Sequence, residues 1–85
     1  MRTIIESDLF RAQCVQLLKD ERRIDELLRA VTWALANRPD LFDFVDQERN
    51  LRLVKGVRSV PFRIWYRATE HEVELLAIEP YDLQE

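Results

Sequence analysis

Glycine, histidine and cysteine are scarce in this chain, and each shortage excludes a class of site. Among its 85 residues, each of the three types occurs once. A single glycine cannot build the glycine-rich loops that hold nucleotide phosphates, so we expect no nucleotide or other small-molecule cofactor. One histidine and one cysteine do not make a zinc ligand set, and no calcium-loop spacing occurs, so we expect no metal site.

The lone cysteine and the short apolar runs exclude two further features. Cys14 has no partner for an internal disulfide and lies on the apolar stripe of a predicted helix, where a buried structural thiol is expected. The longest uncharged gap of the first helical region, residues 30–37, is far shorter than the roughly 20 residues that cross a bilayer. The opening MRTIIES has no apolar leader segment. We therefore expect a cytoplasmic protein with no membrane partner.

What the chain does have is enough apolar sequence for one domain. Hydrophobic residues make up 47% of it and charged residues 34%, with three prolines. Such a composition is typical of a packed globule built from regular elements, near the lower size limit for folding without disulfides or metals. We therefore expect a single domain that covers residues 1–85.

The first half of the chain predicts a short strand followed by two helices. Residues 3–5 form an apolar start, and Ser7 is suited to cap a helix whose first turn holds Asp8. Two stripes of helical spacing follow, and Pro39 ends the second. A single helix over residues 8–38 would be about 46 Å long, more than a globule of this length can hold, so the chain is expected to fold back near residues 19–23. The stripes are Phe10, Cys14, Leu17 and Leu18, then Ile24, Leu27, Leu28, Val31 and Leu35.

Strand-like alternation dominates the second half of the chain. Residues 39–48 mix apolar residues with aspartates and are interpreted as a connection. The next run sets Leu51 and Leu53 against Arg52, and two further strands are joined by a hairpin at residues 69–72. We expect the three strands to form an antiparallel meander with the two helices on one face. The predicted fold class is α+β, in the order β-α-α-β-β-β.

Alternation in the run PFRIWYR separates a core face from a candidate binding face. Successive side chains of a strand point to opposite sides, so every second residue shares a face. The apolar set is expected to face the helices, and the arginine set is expected to be exposed. Trp33, on the second helix, is expected to serve packing. The two sets are Phe62, Ile64 and Tyr66, and Arg63, Trp65 and Arg67.

The net charge of −3 is unevenly distributed along the chain. Residues 1–48 carry −3, residues 49–67 carry +6 with no acidic residue, and residues 68–85 carry −6. The middle block is therefore the candidate for binding an anion, because guanidinium groups clamp phosphates and an indole stacks on bases. Its basic residues are Arg49, Arg52, Lys55, Arg58, Arg63 and Arg67.

A second interpretation of the arginine face needs no ligand. Arg63 and Arg67 could instead pair with acids of the neighbouring strand, Glu72 and Glu74 among them, as cross-strand residues often do. A half-exposed tryptophan such as Trp65 also often marks a protein interface. The pattern by itself leaves RNA binding, partner binding and simple ion pairing open.

The segments LRLVKG, PFRIWYR and EVELLAI, in this order after two helices, resemble the RelE/ParE superfamily of toxins from bacterial toxin–antitoxin modules. The segment TWALANRP resembles the end of the family's second helix, so the resemblance covers nearly the whole chain. It implies two N-terminal helices packed on a curved antiparallel sheet, and a cognate antitoxin protein as partner. RelE-type members cleave mRNA in the ribosomal A site, whereas ParE-type members inhibit DNA gyrase.

For RNA cleavage, the resemblance implies roles for individual residues. Arg63 matches the arginine of the family's central strand and is expected to clamp the phosphate. Lys55 falls among the family's further basic residues and is a candidate base, and Tyr81 is a candidate acid or stacking group. These three are the expected catalytic residues. The expected RNA- or phosphate-binding residues are Arg52, Arg58, Trp65 and Arg67.

The acidic end of the chain departs from the family. The tail EPYDLQE has no lysine, arginine or histidine, whereas many RelE-type toxins carry basic residues after the last strand. An acidic overall balance is also unusual for a protein that enters a ribosomal RNA pocket. Enzymatic activity therefore stays open. The first expectation is a ribosome-dependent endoribonuclease, and the alternatives are a gyrase inhibitor or an inactive relative that only binds an antitoxin.

Overall fold

The elements of secondary structure come from a computed structural model that describes residues 1–20, 24–55 and 61–81. Within these residues lie two helices and one mixed five-stranded sheet, so the predicted α+β class is confirmed. The two helical stripes form two separate helices, as predicted, whereas residues 21–23 of the expected fold-back lie outside the described residues. The elements are β1 (Thr3–Glu6), α1 (Asp8–Asp20), α2 (Ile24–Asn37), β2 (Phe44–Asp46), β3 (Leu51–Val54), β4 (Phe62–Ala68) and β5 (Glu72–Pro80).

The sheet has the strand order β1-β5-β4-β3-β2. The predicted meander of β3, β4 and β5 is confirmed, since β4 pairs antiparallel with both neighbours. The prediction of a wholly antiparallel sheet is wrong, because β1 pairs parallel with β5. A hairpin forces its two strands to run in opposite directions, but β1 and β5 are connected through the rest of the chain, and that connection permits parallel pairing.

A short strand lies where the sequence predicted only a connection. β2 pairs antiparallel with β3, and the register shifts between Phe44 and Asp46. The turn between the two strands ends at Asn50, whose φ of 54° lies in the left-handed region that asparagine tolerates better than most residues. The Asp46 side chain accepts a hydrogen bond from the backbone N–H of Arg49 in the same turn. A three-residue strand that is preceded by one aspartate and ends in another is too short to give a clear periodic signal.

Ser7 caps α1 as predicted. Its hydroxyl oxygen lies 3.0 Å from the backbone nitrogen of Phe10, which donates the hydrogen bond, and its carbonyl accepts from Arg11. The same hydroxyl donates to the carbonyl of Leu76 at 2.9 Å. Ser7 therefore fixes both the start of the helix and its position on β5.

The core lies between the helices and one face of the sheet, which we call the inner face. Both helical stripes supply buried residues, and β4 contributes the three apolar residues predicted for its core side. The Tyr66 hydroxyl donates to the carbonyl of Pro39 at 2.8 Å, and burial raises the pKa of this hydroxyl above its ordinary value. The buried cluster comprises Phe10, Leu17, Leu28, Leu35, Val54, Phe62, Ile64, Tyr66, Val73, Leu75 and Ile78.

Two helical residues lie differently from their predicted positions. Trp33 is 65% exposed, so the prediction that it serves packing is wrong. It is two residues before the buried Leu35, about 200° around the helix, and so lies off the buried stripe of α2. Cys14 packs against the core but is only partly buried. Burial, with a smaller contribution from Glu6, raises the pKa of the Cys14 thiol to about 11.

Among the described residues, neither α1 nor α2 combines the length and apolar character needed to cross a lipid bilayer.

Candidate functional site

The face of the sheet opposite the helices, which we call the outer face, carries the arginine set of β4. Arg63 and Trp65 are half-buried there, and Arg67 is exposed. The inner residues between them, Ile64 and Tyr66, are fully buried. The predicted division of β4 into a core side and an exposed side is therefore confirmed.

Arg63 is held by a carboxylate of the next strand. It lies directly opposite Glu79 in the β4–β5 register, and its Nη2 donates to Glu79 Oε1. The two side chains are 38% and 42% exposed, so the ion pair remains accessible from solvent. The Arg63 Nε is buried and has no hydrogen-bond partner among the described residues. The hydrogen bond to Glu79 uses one of the five donors of the guanidinium.

Two aromatic rings flank the same guanidinium. The Arg63 Cζ lies 5.8 Å from the centre of the Trp65 ring and 5.4 Å from the centre of the Tyr81 ring. Tyr81 follows β5 directly, and its backbone N–H donates to the carbonyl of Pro61 at 2.9 Å, which keeps the tyrosine beside the start of β4. We call Arg63, Trp65, Glu79 and Tyr81 the Arg63 cluster. It combines a guanidinium, an indole, a carboxylate and a phenol.

The second arginine of the outer face is paired as well. Arg67 Nε lies 3.7 Å from Glu74 Oε1, and the two residues are opposite each other in the register. Of the acids considered from the sequence, Glu74 forms such a pair, whereas Glu72 has no ion pair with another described residue. The outer face therefore carries two half-exposed arginine–glutamate pairs with Trp65 between them.

Arg52 does not lie on the outer face, so the prediction that it joins the other arginines there is wrong. It is opposite Tyr66 in the β3–β4 register, and directly opposed side chains point to the same side of a sheet. Its Nη1 donates to the carbonyl of Phe42, and its Cζ lies 3.7 Å from the centre of the Phe44 ring. Leu53 is opposite Trp65 and takes the outer position.

Lys55 lies at the same end of the sheet as Arg63. It directly follows Val54, which is opposite Ile64, so it is next to the start of β4 on the side away from β5. The side chain is exposed and lines a groove of about 320 Å³ with Leu53 and residues of β2. Among the described residues it makes no ion pair. Arg58, the other basic residue predicted in this region, lies outside the described residues.

The positive block of the sequence is thus divided among several surroundings. Arg49 pairs with Asp46 in the turn after β2, with Nε and Oδ2 3.5 Å apart. Arg52 lies on the inner side, and the two arginines of β4 each face a glutamate of β5. The expectation of one continuous basic patch is therefore wrong for the basic residues that are described.

Glu79 is the member of the Arg63 cluster that the sequence did not predict. Counting back from the hairpin pairs, regular pairing would set Arg63 opposite Ile78. The register shifts between Trp65 and Tyr66, where Leu76 is the extra residue, so Glu79 is opposite Arg63 and Ile78 enters the core. The sequence signal for this bulge is the change of spacing among the apolar residues Val73, Leu75 and Ile78.

No protein-family model matches the chain, and no curated protein is significantly similar to it. Within residues 1–20, 24–55 and 61–81, no three histidine, cysteine, aspartate or glutamate side chains are grouped so that they could hold a metal ion.

Proposed function

We propose that the chain is the toxin component of a type II toxin–antitoxin module that inhibits translation in the cytoplasm by cutting mRNA on the ribosome. The observation that carries this proposal is the Arg63 cluster. It joins the arginine and the tyrosine expected to be catalytic, Arg63 and Tyr81, with the tryptophan expected to bind RNA, Trp65. The partners implied are a cognate antitoxin, the ribosome and mRNA.

The reaction proposed is attack of a ribose 2′-hydroxyl on the adjacent phosphate. Arg63 holds the phosphate and stabilises the charge that develops on it, because its guanidinium has donors beyond the one bound to Glu79. Trp65 or Tyr81 supplies a surface on which a base can stack. Tyr81 is also suited to protonate the leaving oxygen, and Lys55 adds positive charge from the β3 side.

A second candidate is a toxin that binds DNA gyrase without catalysis, or a relative that only binds an antitoxin. The observation that favours it is the pairing of both outer arginines, Arg63 with Glu79 and Arg67 with Glu74. A surface whose cations are already matched by carboxylates attracts a polyanion less than an unpaired basic patch does. The same ion pairs suit a protein interface.

Cleavage of mRNA in programmed ribosomes, mapped by primer extension, tests the first proposal. The wild-type protein, folded and free of antitoxin, is expected to cut within the A-site codon, and Arg63→Ala is expected to lower the rate by about 100-fold or more. Arg29→Ala is the matched control. Arg29 also belongs to an exposed ion pair, with Asp25, but it lies on α2 away from the outer face.

Absence of cuts with the wild-type protein would contradict the ribonuclease proposal. Inhibition of gyrase supercoiling by the same preparation would then support the gyrase candidate. Equal cleavage by Arg63→Ala and by Arg29→Ala would show that Arg63 is not the phosphate clamp.

A further inference from the structure

We propose that Glu79 is the general base of the reaction and takes the proton of the attacking 2′-hydroxyl. This inference rests on the proposed ribonuclease function. It starts from the direct contact between the Glu79 carboxylate and the Arg63 guanidinium, at a half-exposed place on the outer face. A base must lie within hydrogen-bond reach of the proton that it removes, and a group bound to the phosphate clamp lies beside the reacting phosphate.

Glu79 and Lys55 lie on opposite sides of β4. Glu79 lies across from Arg63 on β5, and Lys55 follows β3 on the other side of β4. An ionised carboxylate only accepts hydrogen bonds, whereas an ammonium only donates them. Cleavage needs an acceptor for the 2′-hydroxyl and positive charge near the phosphate, so the two sides of β4 supply complementary groups. This arrangement assigns the base to Glu79 and leaves Lys55 as a cation.

The position of Glu79 is well defined by its surroundings. Arg63 orients the carboxylate, and the bulge at Leu76 sets Glu79 in register with Arg63 instead of Ile78. Tyr81, two residues further along the chain, places its ring 5.4 Å from the same guanidinium. A carboxylate held in this way keeps its orientation relative to the phosphate bound by Arg63, which is what general base catalysis requires.

In the proposed reaction, Glu79 is the proton acceptor and Tyr81 is the proton donor. A Glu79 oxygen accepts the proton of the 2′-hydroxyl while the 2′-oxygen forms a bond to phosphorus. The bond between phosphorus and the 5′-oxygen of the next nucleotide breaks, and this oxygen takes a proton from the Tyr81 hydroxyl. The products are a 2′,3′-cyclic phosphate and a 5′-hydroxyl. Glu79 then loses its proton to water and Tyr81 regains one from water, so both residues return to their starting forms.

The test compares Glu79→Gln with Glu74→Gln in single-turnover cleavage of mRNA on programmed ribosomes. Both glutamates lie on β5 and each forms an ion pair with the arginine directly opposite it on β4, so each variant loses one cross-strand ion pair. We expect Glu79→Gln to lower the cleavage rate by about 100-fold or more, and Glu74→Gln to stay within about threefold of wild type. The protein concentration that gives half-maximal rate should change little in Glu79→Gln.

A pH–rate profile provides the readout that a structural role would not change. The wild-type rate should fall on the acidic side as the base becomes protonated, and Glu79→Gln should lack this dependence. Glu79→Asp retains a carboxylate and should recover part of the lost rate. If Glu79→Gln does not fold, the wild-type profile and Glu79→Asp decide the question, because a wild-type rate without an acidic limb would overturn the assignment.

The other outcomes distinguish this inference from the proposed function. Cleavage that is equally fast in Glu79→Gln and Glu74→Gln would remove Glu79 as the base and leave the ribonuclease proposal standing. A loss in Glu79→Gln that comes entirely from weaker ribosome binding would make Glu79 a positioning residue for Arg63. No cleavage by wild type would overturn both proposals.

Discussion

The inner and outer faces of β4 carry alternate residues of one strand, but different interactions stabilise them. On the inner face Phe62, Ile64 and Tyr66 are completely buried under the two helices. On the outer face Arg63 and Arg67 keep between a third and a half of their side chains exposed and are paired with glutamates of β5. Burial of an aromatic or aliphatic side chain stabilises a fold by roughly 1.5–3 kcal/mol, whereas a solvent-exposed ion pair contributes about 1 kcal/mol or less.

This difference in stabilising energy shows which residues can take part in binding or catalysis without loss of the fold. The inner residues hold the helices on the sheet, so truncating them destabilises the fold. The outer residues contribute less to stability, and their chemistry can be set by a ligand or partner without loss of the core. A site on the outer face of β4 is therefore supported by a rigid strand whose position the inner face secures.

The largest expected effect is the difference in stability loss between a truncation on the inner face and one on the outer face. Phe62→Ala should lower the free energy of unfolding by about 3–5 kcal/mol, because it leaves a cavity under the helices. Trp65→Ala should lower it by less than about 1.5 kcal/mol, because the indole is half-exposed. Urea unfolding followed by circular dichroism measures both. If Phe62→Ala does not fold, Ile64→Val should cost about 1 kcal/mol. Equal losses of unfolding free energy in the two variants would contradict the view that the inner face contributes more to stability than the outer face.

The thiol of Cys14 reports on the protection that the core gives to α1. Its pKa is raised from 9.0 to about 11, so at pH 8 the reactive thiolate should be about 100-fold scarcer in the folded protein than in the unfolded chain. Labelling with a chromogenic disulfide reagent, with and without 6–8 M urea, measures the two rates. Equal rates would show that the thiol is not protected.

The same pKa shift predicts how stability depends on pH. The folded state holds the Cys14 proton more tightly than the unfolded state does, so between about pH 9 and 11 the unfolded state binds fewer protons. The free energy of unfolding should therefore fall as pH rises through this range. The shift at Tyr66 has the same direction and acts in the same sense. Cys14→Ala should show a smaller alkaline loss than wild type.

The smallest expected effect on stability is that of the ion pair between Arg67 and Glu74. A double-mutant cycle with Arg67→Ala and Glu74→Ala should give a coupling free energy of about 0.2–1 kcal/mol, which should decrease in 0.5 M salt. Measurement by urea unfolding at two salt concentrations is sufficient. A coupling well above 2 kcal/mol that persists in high salt would show that buried electrostatic interactions, and not solvent-exposed ion pairs, stabilise the outer face.

Local patterns predicted those parts of the fold in which one interaction dominates. Ser7 followed by a helical stripe predicted the cap of α1, because the capping hydrogen bond spans three residues. Alternation within β4 predicted its two faces, because one face is completely buried. The alternation of β4 also pointed to Arg63 and Trp65 as site residues, whereas Tyr81 was named only through the family resemblance; the structure brings these three together.

Features that depend on pairing between distant segments were missed. Arg52 was assigned to the wrong face, because its direction follows from its partner Tyr66 and not from the short alternation around it. Glu79 was not predicted, because a bulge changes which residue is opposite Arg63. Trp33 was assigned to packing, although the helix that carries it turns the indole toward solvent.

By itself the sequence determined the α+β class, the two helices, the meander of β3 to β5 and the separation of apolar from charged residues on β4, since these depend on local periodicity and short connections. Only the tertiary structure decided that β1 pairs parallel with β5, that the positive block is divided among different surroundings, and that a carboxylate faces Arg63. The physical reason is that register and strand order follow from packing the whole sheet against the helices. Shifting one strand by a single residue exchanges its faces without changing its local pattern.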